Sequence, residues 1–321
     1  MSATSSPIPG IHHVTAISGP PQANLDFYAG PLRQRLVKRT VNFDDPGTYH
    51  LYYGDRTGGP GTILTFFPFV DAGPGRAGAG MASAFAYAVP ALDPWMEDLA
   101  ERAIDFDGPF DRLGQRAIAL DDPDGLRVEL VETGGDASHG APRDDGFHSV
   151  TLCVRDPEPT ARVLTDLFGY EAAGEERSRG DAAGTGDGRA HGVERWRFRS
   201  PGGGRGAVVD LMRTDEPSIG RPGAGTIHHV AFRAETPERQ LEWRERVAAA
   251  ELDVTPVIDR QYFDAIYFRE PGGVLFEIAT DPPGFAVDEP VDSLGEALKL
   301  PPQYEPHRER IERVLPELRL P

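Results

Sequence analysis

The sequence predicts an α+β chain of four β-α-β-β-β modules, paired into two domains and followed by a C-terminal helical tail. Three observations predict it. The start Gly10-Ile-His12-His13-Val-Thr15 returns as Thr226-Ile-His228-His229-Val-Ala231, with the second histidines 216 residues apart. Pro123 and Pro271 each stand six residues before a glutamate, Glu129 and Glu277, across a glycine-containing turn. Val14-Thr15, Val150-Thr151 and Val230-Ala231 align as equivalent strand starts. Such self-similarity marks a repeated supersecondary unit.

The elements follow in order. Residues 11–18 are β-branched and alternating, as a half-buried strand requires. Gln22–Leu36 places Leu25, Tyr28, Ala29 and Leu32 at helical spacing, with Gly30-Pro31 near its end. Lys38–Asn42 and Tyr49–Gly54 read as strands around an Asp-Asp-Pro-Gly turn, and Thr62–Phe69 as an apolar strand. Asp71–Gly80 is a Gly/Pro-rich loop. Module two has a strand at Ser83–Val89. Asp93 as N-cap and Pro94 at N1 then start a helix to about Ala103. Weaker strands follow, and a last strand carries Glu129.

Gly134–Asp145 is polar and sets the boundary between residues 1–135 and 146–281, each read as one pair of modules. In module three a strand from Gly146 leads to a helix over Pro157–Phe168. Gly174–Gly192 reads as an exposed loop, and Glu194–Arg199 and Ala207–Arg213 as strands. Module four has a strand at 227–233 and a helix capped by Thr236 with Pro237 at N1. Strands follow near 252–258, 263–269 and 273–279. The tail, 282–321, is proline-rich, takes helical spacing over Glu305–Leu315, and is expected to pack outside the domains.

Composition narrows the function. Apolar residues are 39% of the 321, enough for real cores. No apolar run approaches the roughly 18–20 residues of a membrane span. The start, Met-Ser-Ala-Thr-Ser-Ser-Pro, is not a signal peptide. Cys153 is the only cysteine, which excludes an internal disulfide and fits the cytoplasm. The net charge of −18 argues against nucleic acid and anionic membranes as partners. Lys38 and Lys299 are the only lysines among 33 basic residues. An acidic, lysine-poor surface suggests a halophilic adaptation; a GC-rich genome favouring arginine codons is the alternative.

The chemistry lies in the repeated starts and the closing glutamate. Two histidines and one carboxylate can hold one side of a divalent metal and leave positions open for substrate and oxygen. His13, His229 and Glu277 are the candidates. Burying a glutamate among Val, Leu, Phe and Ile costs several kcal/mol unless it is paired or metal-bound. A single histidine in a strand is more often a packed core residue than a ligand. Two in equivalent modules are harder to assign to packing. Glu129 is the control. It holds the same slot as Glu277, but Ser149 stands where a ligand histidine would be. Glu129 and His148 are therefore expected to be structural.

Four stretches carry a family resemblance: Ile-His12-His13-Val-Thr15, Val41-Asn-Phe-Asp-Asp-Pro-Gly-Thr-Tyr-His50-Leu-Tyr-Tyr-Gly-Asp55, Gly61-Thr-Ile-Leu-Thr-Phe-Phe-Pro68 and Asp259-Arg260-Gln-Tyr-Phe263. From Gly10 to Asp281 the chain resembles the vicinal oxygen chelate superfamily of glyoxalases, bleomycin resistance proteins and extradiol dioxygenases. Within it, the chain is similar to hydroquinone ring-cleaving dioxygenases. The resemblance implies vicinal oxygen chelate domains, with His13, His229 and Glu277 as metal ligands. Around them it implies His12, Thr15, His228, Arg260 and Tyr267. Strict alternation turns His12 and His228 away from the ligands, so a twist at the strand start must bring them back.

Module one has Leu64-Thr65-Phe66-Phe67 where a glyoxalase-type site needs another carboxylate. Three protein ligands suit a metal that binds a phenol and O2. The expected activity is a non-haem Fe(II) extradiol-type dioxygenase opening hydroquinones, with Mn(II) fitting the same ligands. His228 or His12 is a candidate proton acceptor, and Tyr267 and Arg260 candidates to hold a phenolate or oxyanion. Phe66, Tyr262 and Phe263 are candidate walls. The partners are then a small aromatic substrate and O2, with homo-oligomerisation left open. The rival readings are a glyoxalase-like metal-dependent isomerase or thiol transferase, and a non-catalytic protein that captures a quinone or an antibiotic.

Overall fold

The computed structural model describes residues 6–134, 142–179, 192–214 and 218–320. Module one comprises β1 (Ile11–Ser18), α1 (Pro21–Ala29), β2 (Arg35–Val41), β3 (Tyr49–Gly54) and β4 (Ile63–Pro68). Module two comprises β5 (Met81–Val89), α2 (Asp93–Glu101), β6 (Asp107–Arg112), β7 (Gln115–Asp121) and β8 (Arg127–Glu132). A short α3 (Pro142–Asp145) precedes module three: β9 (Phe147–Cys153), α4 (Pro157–Arg162), a π turn at Val163–Leu167, β10 (Glu171–Arg179), β11 (Gly192–Arg199) and β12 (Val208–Thr214). Module four has β13 (Thr226–Ala234), α5 (Pro237–Ala249), β14 (Ile258–Asp259), β15 (Phe263–Arg269) and β16 (Leu275–Pro283); α6 (Arg308–Val314) closes the chain. No helix among the described residues is long and apolar enough to cross a membrane.

The strands form two eight-stranded sheets. One runs β14-β15-β16-β13-β1-β4-β3-β2, the other β10-β11-β12-β9-β5-β8-β7-β6. Module one therefore pairs with module four, and two with three. The pairing in chain order, within 1–135 and within 146–281, is not the one the strands adopt. The cause is a free edge. The first strand of each module takes its own last strand, in parallel, on one side only. The other edge is covered by the equivalent strand of another module: β13 on β1 and β9 on β5, both antiparallel. The chain crosses between sheets at 69–80 and returns through 218–225. Those crossings bind each other, Arg76 and Arg221 exchanging backbone hydrogen bonds of 2.8 Å. Gly225 has φ +81°, and a Cβ there would lie 2.0 Å from the Asp124 carbonyl oxygen, so the return needs glycine.

Helices α1 and α5 pack on the outer face of the first sheet. Leu25 and Tyr28 of α1 join Val14, Tyr53 and Phe66 in the core, and Trp243 and Val247 of α5 join Phe232 and Phe276. That leaves the alternate positions of β1, β3, β4, β13 and β16 for the concave face.

Several local expectations change. Helix α1 ends before Gly30-Pro31, and Leu36 lies in β2. Asp93 is the first residue of α2 rather than its cap; it pairs with Arg116, while Glu132 accepts from the Leu92 N–H at 2.9 Å. Strand β10 continues to Arg179 against β11, where a loop was expected; residues 180–191 lie outside the described set. Little of 252–258 is strand, beyond Ile258 and a bridge from Val254 to Phe268. Thr236 does cap α5, accepting from the Arg239 N–H. The tail lies along module one. Buried Lys38 reaches Asp288 at 2.5 Å and also Glu289, and the Tyr304 hydroxyl donates to the Phe43 carbonyl at 2.7 Å.

Candidate active site

His13 and His229 lie on the two central strands of the first sheet, His13 opposite Ala231 and His229 opposite Thr15. Glu277 comes from β16, opposite Ala231 on its other side. All three side chains are buried. The Nε2 atoms of His229 and His13 stand 2.9 and 3.4 Å from Glu277 Oε2, and 3.3 Å from each other. Neither carboxylate oxygen of Glu277 has an aligned hydrogen-bond donor. Burial alone would raise the Glu277 pKa; His13 and His229 outweigh it and hold it well below the usual range. An ionised, unbonded carboxylate beside two converging imidazole nitrogens is a donor set that fits a divalent cation.

His12 and His228 approach through bulges, not through a twist at the strand start. The β1–β13 ladder slips once between Ile11 and His13, and again where His229 gives way to Ile227. His12 and His228 are the extra residues at those slips, and each ring turns back toward its neighbour. His12 Nδ1 lies 2.9 Å from His13 Nδ1, and His228 Nδ1 lies 2.8 Å from His229 Nδ1. If His13 and His229 present bare Nε2 atoms to a cation, their Nδ1 atoms carry hydrogens. His12 and His228 then accept at Nδ1 and carry their own hydrogen at Nε2. The two are otherwise unlike. His12 is sealed behind the site, its ring 5.4 Å from that of Phe263. His228 opens on the cleft; its protein surroundings, then His229, push its pKa down to about 4.

The cleft encloses about 570 Å³. Ile17, Phe67, Phe263 and Leu275 give it apolar walls. Thr15, Arg260 and Tyr267 line it too. Arg260 Nε stands 3.3 Å from the Tyr267 hydroxyl, and Asp44 lies 3.5 Å from the Arg260 guanidinium. Burial, then Glu277, raises the Tyr267 pKa well above 10, so its phenol stays protonated. Two of the expected walls are elsewhere. Phe66 alternates outward into the core, and Tyr262 packs with Tyr52, Phe285 and Lys38.

His50, Tyr52 and Thr65 also belong to this region, and sequence reasoning gave them no role. Tyr52 stands opposite Thr65 as Tyr267 stands opposite Glu277. The signal was the alternation of β3, whose Tyr49, Leu51 and Tyr53 enter the core and turn His50 and Tyr52 the other way.

The second sheet carries the same frame with other contents. Glu129 stands opposite Ala86, and Asp210 opposite Thr151, in the register of Glu277 opposite Ala231. Glu129 is bound by Arg112 at 2.6 Å. Asp210 is gripped by Arg197 through bonds of 2.8 and 2.9 Å, with Arg195 at 3.4 Å. His148 is buried between Ser149 and Gln115, and burial, then Arg197, lowers its pKa to about 4. Arginines occupy the place where the first sheet gathers histidines. Glu129 and His148 are thus held as structural groups. Asp210 was missed, although an aspartate in Val-Val-Asp-Leu-Met carries the same burial signal as Glu277.

Comparison with known proteins shows the family. Residues 10–130 and 146–278 match the model of the Glyoxalase/Bleomycin resistance protein/Dioxygenase superfamily. The chain belongs to that superfamily. It is 47% identical over 319 residues, 95% of each chain, to MhqO of Bacillus subtilis, named as a ring-cleaving dioxygenase. It is 31% identical, over 96% of each chain, to a protein of Sphingobium indicum named chlorohydroquinone/hydroquinone 1,2-dioxygenase. A crystal structure of a Bacillus subtilis protein described as a dioxygenase superposes with TM-score 0.88 at 44% identity, covering 99% of both chains. Maize glyoxalase I, at 13% identity and TM-score 0.59 over 85% of this chain and 92% of that one, shares the fold.

Proposed function

We propose that this superfamily member is a non-haem Fe(II) dioxygenase of the extradiol type that opens hydroquinones with O2. The observation that carries the reading is the three-donor set of His13, His229 and Glu277, with Thr65 in the remaining carboxylate slot. A fully protein-ligated cation suits isomerisation; an open side suits a metal that must take both a phenol and O2. The names of the relatives support the same substrate class. A redox-active metal held there would supply Lewis acidity and the electron chemistry that O2 requires.

The protein's own groups have separate tasks. Phe67, Phe263 and Ile17 exclude water and sandwich an aromatic ring. Arg260 offers a fixed positive charge to a phenol oxygen, and Tyr267 a hydroxyl that stays protonated. His228 was a candidate proton acceptor. With His229 donating to its Nδ1, it is better suited to donate from Nε2 toward the cleft. His12 has no access to substrate and holds His13 in the correct tautomer. The net charge of −18 and the single cysteine support a cytoplasmic, salt-adapted enzyme.

Anaerobic reconstitution followed by oxygen uptake with hydroquinone tests the reading. Fe(II) should restore uptake and ring opening, Mn(II) partly, and Zn(II) not at all. Full turnover of a hemithioacetal under nitrogen with Zn(II), and none of hydroquinone, would make it an isomerase instead.

A further inference from the structure

Four side chains form an unbroken hydrogen-bonded row along module one. The Tyr52 hydroxyl is 2.8 Å from His50 Nδ1, His50 Nε2 is 2.9 Å from Thr65 Oγ1, and Thr65 Oγ1 is 3.0 Å from Thr15 Oγ1. Thr15 lines the cleft two residues from His13, on the same strand face. Thr15 Oγ1 has no further hydrogen bond among the described residues.

A hydroxyl has one hydrogen, and a neutral imidazole has one N–H. The row therefore has two self-consistent directions, toward Thr15 or toward Tyr52. A phenol is a stronger acid than an aliphatic alcohol and a poorer acceptor. A bare imidazole nitrogen is a strong acceptor. The bond from Tyr52 to His50 Nδ1 is thus preferred, and so is the bond from His50 Nε2–H to Thr65. Thr65 must then give its hydrogen to Thr15, whose own hydrogen has nowhere to go but the cleft. Burial keeps His50 neutral, so it carries the single ring hydrogen this scheme needs.

We infer that His50 is a positioning residue: through Thr65 it turns the Thr15 hydroxyl so that Thr15 donates to an oxygen of the ligand in the cleft. That oxygen is an ionised phenol oxygen if the ring-cleaving reading holds, and the inference rests on that reading for the ligand's identity alone. His50 does not itself take a proton from substrate. Both its nitrogens are engaged, and burial holds the Tyr52 phenol far above its usual range, so no proton is fed in from that end.

The direction of the row can be read without metal or substrate. In 15N NMR of the metal-free protein, with the His50 signals assigned through His50→Phe, His50 should be a single Nε2–H tautomer. An Nδ1–H tautomer would overturn the inference, because Thr15 would then point away from the cleft. In Fe(II)-loaded protein, His50→Phe and Thr65→Val should each lower kcat/KM for hydroquinone about tenfold, the loss of one charge-assisted hydrogen bond. Metal content should stay unchanged, Thr65→Ser should keep most of the activity, and the double variant should be no worse than either single one. Additive losses, or a Thr65→Ser loss as deep as that of Thr65→Val, would also overturn it. If the unaltered protein takes up no oxygen, the dioxygenase reading fails and the tautomer decides this inference alone.

Discussion

Thr65 stands opposite Thr15 in the register in which Glu277 stands opposite Ala231. One strand slot thus holds a hydroxyl in module one and a carboxylate in module four. A fourth ligand, a second carboxylate, placed there would close the open side of the site. Thr65→Glu should therefore bind a divalent metal more tightly, seen as slower loss to a chelator, and should abolish oxygen uptake with hydroquinone. The loss should be far deeper than the roughly tenfold expected when only one hydrogen bond goes. Oxygen uptake within tenfold of the unaltered protein would mean that the open side is not where substrate and O2 meet.

Glu277, Glu129 and Asp210 fill the same slot in modules four, two and three, but their partners differ. Glu277→Gln should lose the metal and turnover, since a neutral amide is a much weaker ligand for a hard divalent cation. Glu129→Gln should keep both, at a stability cost of ~1–3 kcal/mol from the weakened Arg112 pair. Asp210→Asn should also keep the metal and cost more, about 3–5 kcal/mol, because buried Arg197 loses the carboxylate it grips through two bonds. Metal analysis and chemical denaturation of the three variants check the ordering. Metal lost from Glu129→Gln and retained by Glu277→Gln would put the site in the wrong sheet.

The repeat was legible because His-His-Val starts and the closing glutamates survive as strings. The candidate trio drew on the cost of burying Glu277, on the two equivalent His-His-Val starts, and on the family resemblance that implies the second histidine of each pair. Pairing was not legible: no local residue records which module covers the free edge of β1, and that is a property of the two crossings at 69–80 and 218–225. The bulges at His12 and His228 were hidden for a similar reason. A bulge is a relation between two strands, while one strand alone shows only alternation. His50 lay inside a quoted motif, but its meaning depends on Thr65 and Thr15, which lie 15 and 35 residues away in the chain. Asp210 was legible and went unread.

The surface makes a separate prediction. At a net charge of −18, like-charge repulsion opposes the compact state in dilute buffer. Salt also weakens exposed pairs such as Arg56–Asp292, but each is worth only ~0.2–1 kcal/mol. Repulsion should dominate. Tm should therefore rise by a few degrees from dilute to molar KCl, where the Debye length falls to about 3 Å. A flat or falling Tm would leave codon composition as the source of the arginine bias.

Asp122 gives the fold a pH dependence with a definite sign. Its carboxylate joins the modules: it accepts from the Leu126 and Asp124 N–H groups and from the Tyr28 hydroxyl across the sheet boundary. Burial outweighs those bonds and pushes its pKa up to about 6, from 3.8. The folded state therefore binds this proton more tightly than the unfolded chain. Stability from this group is fully present below about pH 4, falls as pH rises toward 6, and is lost above that. The shift corresponds to at most about 3 kcal/mol. Asp122→Asn keeps the accepting oxygen and can turn its amide toward the Tyr28 oxygen, so it should fold. The unfolding free energy of the unaltered protein minus that of Asp122→Asn should fall as pH rises from 4 to 7 and be constant above pH 7. Parallel pH profiles from 4 to 7 would show that Asp122 is already ionised in the acid range. The general acidity of the chain acts on both proteins alike, so the comparison isolates this single buried carboxyl.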